Sequence, residues 1–297
     1  MAEHLISLAD VSAQDLLDTL ALARMIKAYP SRYQAACRGR TLALLLEQPS
    51  LRTRVSFTTG IFALGGQAVT CTGNDIPPHW DLAHPQTAAM LSQCADGVVL
   101  RTSNHTVLQA MAGASDVPVI NGGTDQAHPC HILADLMTLQ EQWGTLAGRT
   151  LVYTGAQRAM AHSLAWGCAR VGINLRIVSA TERPLHSPVI ERAQSQATGT
   201  ISTHIQADLA VATQGADAIY TDAALAAAVS AASPSPQAAL QDMPQTALWL
   251  HRHPAQQPSH SKDSSPPQLT SMFTEQAANR IHVQKAVLVR HVGAIKR

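Results

Sequence analysis

Short apolar runs alternate with longer segments of helical spacing along the first half of the chain. Each run has the length of a buried strand, and in the segment that follows it apolar residues recur every three or four positions. In chain order the pairs are 41–47 with 54–66, 67–72 with 85–94, 97–102 with 106–114, and 117–121 with 131–143. This alternation is typical of a parallel sheet with crossover helices.

A second series of the same kind begins after Gly148 and Arg149. Its members are 150–155, 160–172, 175–180, 217–222 and 247–251. The pattern therefore predicts two α/β domains. The last segment, 273–293, has helical spacing at Ile281, Ala286 and Leu288, and a terminal helix of this kind can pack back on the first domain.

Composition narrows the class of protein. The chain has 297 residues, of which 46% are hydrophobic and 14% charged, as expected for two well-filled cores. Lysine and arginine number 21 against 20 acidic residues, so the basic excess of a nucleic-acid-binding protein is missing. Since no run approaches the roughly 18 apolar residues of a membrane span, we expect no membrane association and a small-molecule ligand.

The cysteines favour an intracellular protein. There are five, an odd number, and they are scattered without a CxxC pair, which disfavours a disulfide framework and a structural zinc site. The first ten residues, MAEHLISLAD, lack the basic and long apolar regions of a signal peptide. We expect reduced thiols and a cytoplasmic location.

The stretch 47-EQPSLRTRVSF-57 predicts an anion site. A strand ends near Glu47, the chain turns at Pro49 and Ser50, and a helix follows from Thr53. Backbone N–H groups at a helix N-terminus, a serine hydroxyl and two guanidinium groups together bind phosphate well. The alternative is that Ser50 only caps the helix while the two arginines point into solvent.

This stretch resembles the phosphate-binding Ser-Thr-Arg-Thr-Arg motif of the aspartate/ornithine carbamoyltransferase family, and the resemblance continues in register over nearly the whole chain. Further matching segments are 65–69, 73–76, 100–105, 117–141, 162–164, 215–222, 251–254 and 279–288. The resemblance implies two doubly wound parallel-sheet α/β domains with the active site between them, assembled as a homotrimer. Residues 1–135 would bind carbamoyl phosphate, 136–278 would bind the acceptor, and 279–297 would return to the first domain.

The residue types suit transfer of a carbamoyl group to an amine. The donor is a small dianion, so the reaction needs phosphate neutralisation, a stabilised oxyanion and a placed nucleophile, without a metal or a cofactor. The resemblance assigns the phosphate to Ser50, Leu51, Arg52, Thr53 and Arg54, and the catalytic roles to Arg101, His128 and Arg280. Leu51 departs from the usual threonine, but that position can contribute through its backbone N–H.

Each assignment has a plainer alternative. Arg101 would be a surface charge at a strand end, His128 an ordinary residue at a helix start, and Arg280 a partner of Glu275. The sequence His128-Pro-Cys-His131 also contains metal-ligand types. We disfavour a metal site because proline starts a helix there and no second cluster has metal spacing.

The match to ornithine enzymes fails at several positions. His131 replaces the glutamine that contacts the carbamoyl NH2 group, and it can still form one hydrogen bond there. Ala159 replaces the asparagine that binds the amino acid, and 220–236 lacks the Ser-Met-Gly loop, so that only Asp222 remains of that segment. Arg252 replaces the cysteine beside the reacting amine, where a guanidinium repels an ammonium.

These departures lead to the hypothesis that the acceptor is an amine other than ornithine, in specialised metabolism. Arg252, Arg158 and His253 would suit an acceptor with a carboxylate or another polar group near the amine. Trp80, on a proline-braced loop, would wall the acceptor pocket across the trimer interface; otherwise it is a surface aromatic residue.

Two further hypotheses stay open. One is a true ornithine enzyme that uses other pocket residues, against which the missing asparagine and loop count. The other is a non-catalytic trimer that binds carbamoyl phosphate or another phosphorylated anion. Joint retention of the phosphate-site arginines and of His128 favours chemistry, because assembly alone does not require donors at both ends of one small anion.

Overall fold

In the computed structural model, the described residues are 2–73, 75–76, 81–179, 188–205, 209–222, 243–244, 246–251 and 269–293. The chain divides into two compact units. The first unit comprises residues 1–137 and 278–297, and the second comprises 138–277. None of the helices in the described ranges combines the length and apolar character that a membrane span requires.

The first unit contains a parallel sheet in the order β2-β1-β3-β4. Its strands are β1 (Thr41–Leu46), β2 (Gln67–Thr72), β3 (Gly97–Arg101) and β4 (Val119–Gly123). Its helices are α1 (Ala13–Ala28), α2 (Leu51–Ala63), α3 (Pro85–Cys94), α4 (His105–Ala114) and the beginning of α5 (Pro129–Trp143). Strands β1 and β3, at the centre of this order, are almost entirely buried, as expected when helices cover both faces of a sheet.

The second unit contains a parallel sheet in the order β10-β9-β8-β5-β6-β7. Its strands are β5 (Thr150–Thr154), β6 (Asn174–Ser179), β7 (Ile201–Ile205), β8 (Ala218–Thr221), β9 (Leu248–His251) and β10 (Thr270–Ser271). Its helices are α6 (Arg158–Val171), α7 (Pro188–Ser195) and α8 (Leu209–Thr213). The prediction of two α/β domains with parallel sheets is confirmed.

The C-terminal helix predicted from the sequence is present as α9 (Phe273–His291), and from residue 278 onward it belongs to the first unit. Polar contacts fasten it there. Arg290 Nη2 donates to Asp15 Oδ1 at 2.6 Å, and Lys27 Nζ donates to Asn279 Oδ1 at 2.9 Å. Helix α9 therefore places residues from the end of the chain in the same unit as residues 1–137.

In each sheet the strand order reverses direction at one strand. In the first unit β2 lies on one side of β1 and β3 on the other; in the second unit β6 and β8 flank β5 in the same way. Crevices outside the carboxyl ends of strands at such points are the usual ligand sites of open α/β sheets. The fold therefore marks one candidate position in each unit.

Candidate active site

The crevice of the first unit lies where β1 and β3 end side by side. The chain leaves β1 at Leu46 and enters α2 at Leu51, and β3 ends at Arg101. Backbone N–H groups of Glu47 and Gln48 donate to the carbonyl oxygen of Arg101 at 3.0 and 3.4 Å. The turn before α2 is thus joined to the residue that the sequence predicts as catalytic.

Ser50 caps α2 at this edge of the sheet. Its hydroxyl accepts from the backbone N–H of Thr53 at 3.4 Å and donates to Thr53 Oγ1 at 2.9 Å. Thr53 is fully buried, whereas the Leu51 side chain is 77% exposed. Ser50 is thus the N-cap of α2, as the capping alternative requires, and the role of this turn in binding phosphate stays a prediction.

Arg101 and His128 converge on Gly123. This glycine has φ +125°, and a Cβ there would lie 2.6 Å from His128 Nδ1 and in collision with the Arg101 guanidinium. Arg101 Nη1 also donates to the Gly122 carbonyl at 3.2 Å. The two predicted donors to the carbonyl oxygen are brought together because Gly123 has no side chain.

Arg280 extends this cluster from α9. The pKa of Arg280 is lowered to about 10, chiefly by burial, then by repulsion from Arg52 and to a smaller extent from Arg101. Three guanidinium groups that repel one another across a partly buried crevice are stabilised by an anion placed among them. Guanidinium groups from α2, β3 and α9 thus make this part of the first unit suited to an anion.

Arg54, the last of the five residues predicted in the phosphate motif, is exposed. Its charge acts on Asp75, whose pKa is held below the usual range chiefly by hydrogen bonds from Thr72 and to a smaller extent by Arg54. Arg54 thus acts electrostatically on Asp75, whereas Arg52 acts on Arg280.

Histidine and cysteine side chains at the start of α5 line the same cluster. The rings of His128 and His131 meet edge to face with centroids 6.5 Å apart. Burial raises the pKa of Cys130 to about 12, which keeps the thiol neutral and unreactive. In the part of the chain that the structure describes, no three His, Cys, Asp or Glu side chains are grouped closely enough to hold a metal ion.

The crevice of the second unit is organised around Asp222, which follows β8. Its buried carboxylate accepts from the Tyr153 hydroxyl and from the backbone N–H groups of Ala156 and Gln157, the latter two at 3.3 and 2.8 Å. A Cβ at Gly155 would collide with this carboxylate. The loop between β5 and α6 therefore closes tightly over Asp222.

Of the remaining predicted acceptor residues, the structure describes one and does not describe the other three. Arg158 is the exposed first residue of α6, next to the buried Ala159. Trp80, Arg252 and His253 lie outside the described residues.

The residue before that segment is firmly held. His251, at the end of β9, has Nε2 2.8 Å from Ser271 Oγ, and its ring stacks on Phe273 with centroids 5.1 Å apart. The start of the predicted acceptor segment is thus anchored to the second unit.

The sequence pattern did not identify Gly123, Asp135 or Tyr153 as site residues. Gly122 and Gly123 stand at the end of an apolar strand. Glycine at such a position often allows other groups to approach closely, so this pair was a signal for Gly123. Asp135 and Tyr153 lie within apolar helical and strand patterns that resemble ordinary core.

Comparison with known proteins decides the family. The model of the aspartate/ornithine carbamoyltransferase carbamoyl-P binding domain matches residues 3–141, and that of the Asp/Orn binding domain matches 147–291. The chain belongs to the aspartate/ornithine carbamoyltransferase family. It is therefore an enzyme of the transferase class, and the resemblance drawn from the spaced motifs is confirmed.

Relatives of this carbamoyltransferase align over almost their whole length. It is 36% identical over 301 residues to ornithine carbamoyltransferase from Synechococcus elongatus, which covers 98% of both chains. It is 34% identical over 297 residues to the Bacillus subtilis ornithine carbamoyltransferase, covering 96% of this chain and 92% of the relative.

Solved structures of such enzymes have the same fold. Ornithine carbamoyltransferase from Gloeobacter violaceus superposes with a TM-score of 0.80 at 33% identity, covering 98% of both chains. The enzyme from Pyrococcus furiosus gives a TM-score of 0.80 at 29% identity, covering 99% of this chain and 98% of that one.

Proposed function

We propose that this carbamoyltransferase transfers the carbamoyl group of carbamoyl phosphate to the side-chain amine of ornithine. The observation that carries the proposal is that Arg101 and His128 meet at Gly123, while Arg52 and Arg101 act electrostatically on the buried Arg280. A dianion with a carbonyl group suits this arrangement, because cationic and neutral donors are available for its two ends. Residues 1–135 are proposed to bind this donor and 136–278 to bind the acceptor.

The chemistry requires one bond to form and one to break at the carbonyl carbon. The lone pair of the amine attacks that carbon. The bond between that carbon and the bridging oxygen of the phosphate then breaks, and its electron pair leaves with the phosphate. The proton lost by the amine passes to the departing phosphate. Arg101 and His128 would stabilise the carbonyl oxygen as it gains charge, and Ser50, Arg52, Thr53 and Arg280 would hold the leaving phosphate.

Ornithine is the first acceptor to consider because the relatives described above are named for it. Asp222 supports an amino-acid acceptor, since its buried carboxylate at the carboxyl edge of the second sheet attracts an ammonium group.

A different acceptor is the second candidate. The observation that favours it is Ala159, buried in the first turn of α6 with no amide to bind an amino acid, beside the cationic Arg158. Arg252, His253 and Trp80 remain proposed members of this acceptor site. The relatives give this candidate no support, because they are named for ornithine.

We further propose that the enzyme assembles as a homotrimer. On α2 the side chains of Leu51, Val55 and Phe62 are 77%, 48% and 79% exposed, and Val69 on the edge strand β2 is 56% exposed. Several apolar side chains along a helix and a sheet edge are typical of an interface between subunits.

The decisive assay is phosphate release from carbamoyl phosphate, corrected for spontaneous breakdown. We expect release with ornithine, and Arg101→Ala to reduce kcat/KM about 100-fold to 1,000-fold because a donor to the oxyanion is lost. Arg24→Ala, which removes an exposed cation on α1, is the matched control and should leave kcat/KM unchanged.

Other acceptors in the same assay separate the alternatives. Release with an acylated ornithine, aspartate, a diamine or an anionic amino acid, but not with ornithine, would favour the second candidate. Binding of carbamoyl phosphate without turnover on any amine would indicate a non-catalytic protein. Absence of binding would mean that Ser50 only caps α2.

A further inference from the structure

The two ring nitrogens of His131 face chemically opposite groups. Nε2 lies 3.6 Å from Oδ2 of Asp135, one turn along α5, and Nδ1 lies 3.5 Å from Nη1 of Arg280 on α9. The side chains of His131 and Asp135 are only 9% and 2% exposed. The imidazole is therefore held between a carboxylate and a guanidinium in a largely buried place.

This environment selects one tautomer of the ring. A guanidinium has N–H groups and no acceptor, so Nδ1 must present its lone pair to Arg280. A carboxylate at neutral pH only accepts, so Nε2 must carry the proton. His131 is consequently neutral, with an acceptor on the Arg280 side of the ring.

Among the described residues, the charged groups around His131 lie on four elements. Arg52 on α2, Arg101 on β3 and Arg280 on α9 form the cationic cluster, and Asp135 is the acidic neighbour on α5. His128 and Cys130 are the other titratable groups at this helix start. The cations oppose an imidazolium at this position, and Asp135 favours one.

Building on the proposed function, we propose that His131 and Asp135 make the binding of carbamoyl phosphate depend on pH. Asp135 orients the ring electrostatically so that Nδ1 can accept from the NH2 group of the carbamoyl moiety in place of Arg280, whose guanidinium would contact the phosphate. Protonation of Nδ1 removes that acceptor and sets a donor against two donors, the NH2 group and Arg280. A glutamine at this position has an amide oxygen at every pH and confers no such dependence.

The first test compares the native enzyme with His131→Gln from pH 5.5 to 8.5 by titration calorimetry. Phosphonoacetamide is the probe because it carries both an anionic phosphonate and an amide NH2 group and does not decompose. Where His131 becomes protonated, we expect the Kd of the native enzyme, divided by that of the variant, to rise by about tenfold for each unit by which the pH is lowered. The variant serves as the reference that cancels the ionisation of the probe itself.

Two results of this test would overturn the proposal. One is a Kd ratio that stays constant, or falls, as the pH decreases. The other is the same rise with inorganic phosphate, which has no NH2 group, because the charge of His131 would then act on the phosphate end. Failure of both enzymes to bind either probe at any pH would overturn the proposed function together with this inference.

Asp135→Asn tests the positioning role. Loss of the carboxylate removes the stabilisation of the imidazolium, so the midpoint of the pH transition should move to lower pH. An unchanged midpoint would contradict the role of Asp135.

Nitrogen-15 spectra of the native enzyme at pH 8 give an independent readout that needs no variant to fold. We expect the Nε2–H tautomer at His131, and the Nδ1–H tautomer would overturn the inference.

Discussion

At the scale of single residues, the candidate site depends on a position with no side chain. Gly123 has φ +125°, a conformation that other residues rarely adopt, and it lies between the Arg101 guanidinium and the His128 ring. The two catalytic candidates can therefore approach each other only because residue 123 has no side chain.

Gly123→Ala should abolish most of the activity. The added Cβ displaces Arg101 and His128, so we expect kcat/KM to fall at least about 100-fold, as for loss of an oxyanion donor. Backbone strain should also lower the free energy of unfolding by roughly 1–3 kcal/mol. Steady-state kinetics and chemical denaturation measure the two effects.

Gly144→Ala is the matched control. Gly144 also has a positive φ, +74°, but no atom lies within 4 Å of the position of an added Cβ. This variant should lose stability and keep its kcat/KM. Equal loss of activity in both variants would show that strain, rather than displacement of Arg101 and His128, is responsible.

At the scale of elements, α2 illustrates how a helix boundary and a binding site coincide. The sequence predicted a helix from Thr53, whereas α2 begins at Leu51 because Ser50 provides the N-cap. Similarly, α5 was predicted over 131–143 and begins at Pro129, since proline is favoured in the first turn of a helix. In both helices the first turn carries residues of the proposed site.

Ser50→Ala should affect both stability and function. Loss of the cap should cost about 1 kcal/mol of the free energy of unfolding. Loss of a hydroxyl from the phosphate site should also weaken carbamoyl phosphate binding several-fold, since one hydrogen bond contributes about 0.5–1.5 kcal/mol. Calorimetric titration with the donor measures the second effect.

Ser12→Ala separates the two contributions. Ser12 caps α1, and its hydroxyl accepts from the backbone N–H of Asp15 at 3.0 Å, away from the proposed site. This variant should lose similar stability and bind the donor as the native enzyme does. Unaltered donor binding in Ser50→Ala would restrict Ser50 to a capping role.

At the scale of the whole molecule, the exposed apolar side chains of the first unit form the proposed interface between subunits. Phe62 lies near the end of α2 and is 79% exposed. A charge in the centre of an apolar interface is costly to bury, so the proposed trimer should be sensitive to this position.

Phe62→Asp should shift the enzyme from trimer to smaller species in sedimentation velocity experiments. Val211→Asp is the control, because Val211 is 63% exposed on α8 of the second unit and should leave the trimer intact. A native enzyme that sediments as a monomer, or a Phe62→Asp variant that remains trimeric, would contradict the proposed interface.

The sequence by itself determined the elements and the family. Strand and helix periodicities express which side chains are buried, and burial follows from the local pattern of apolar residues. Motifs such as PSLRTRVSF and VPVINGGTDQAHPC occur in the order that the family requires, and the family-model matches confirm that assignment. The departure at Ala159 was visible too, although the acceptor it implies remains a proposal.

Only the tertiary structure decided which of these residues meet. Arg52, Arg101 and Arg280 belong to three elements that are far apart in the chain, and strand order together with the return of α9 brings them to one crevice. The roles of Gly123 and of the His131–Asp135 pair emerge in the same way. Periodicity specifies the face that an element buries, but the neighbours of that face depend on how all the elements pack together.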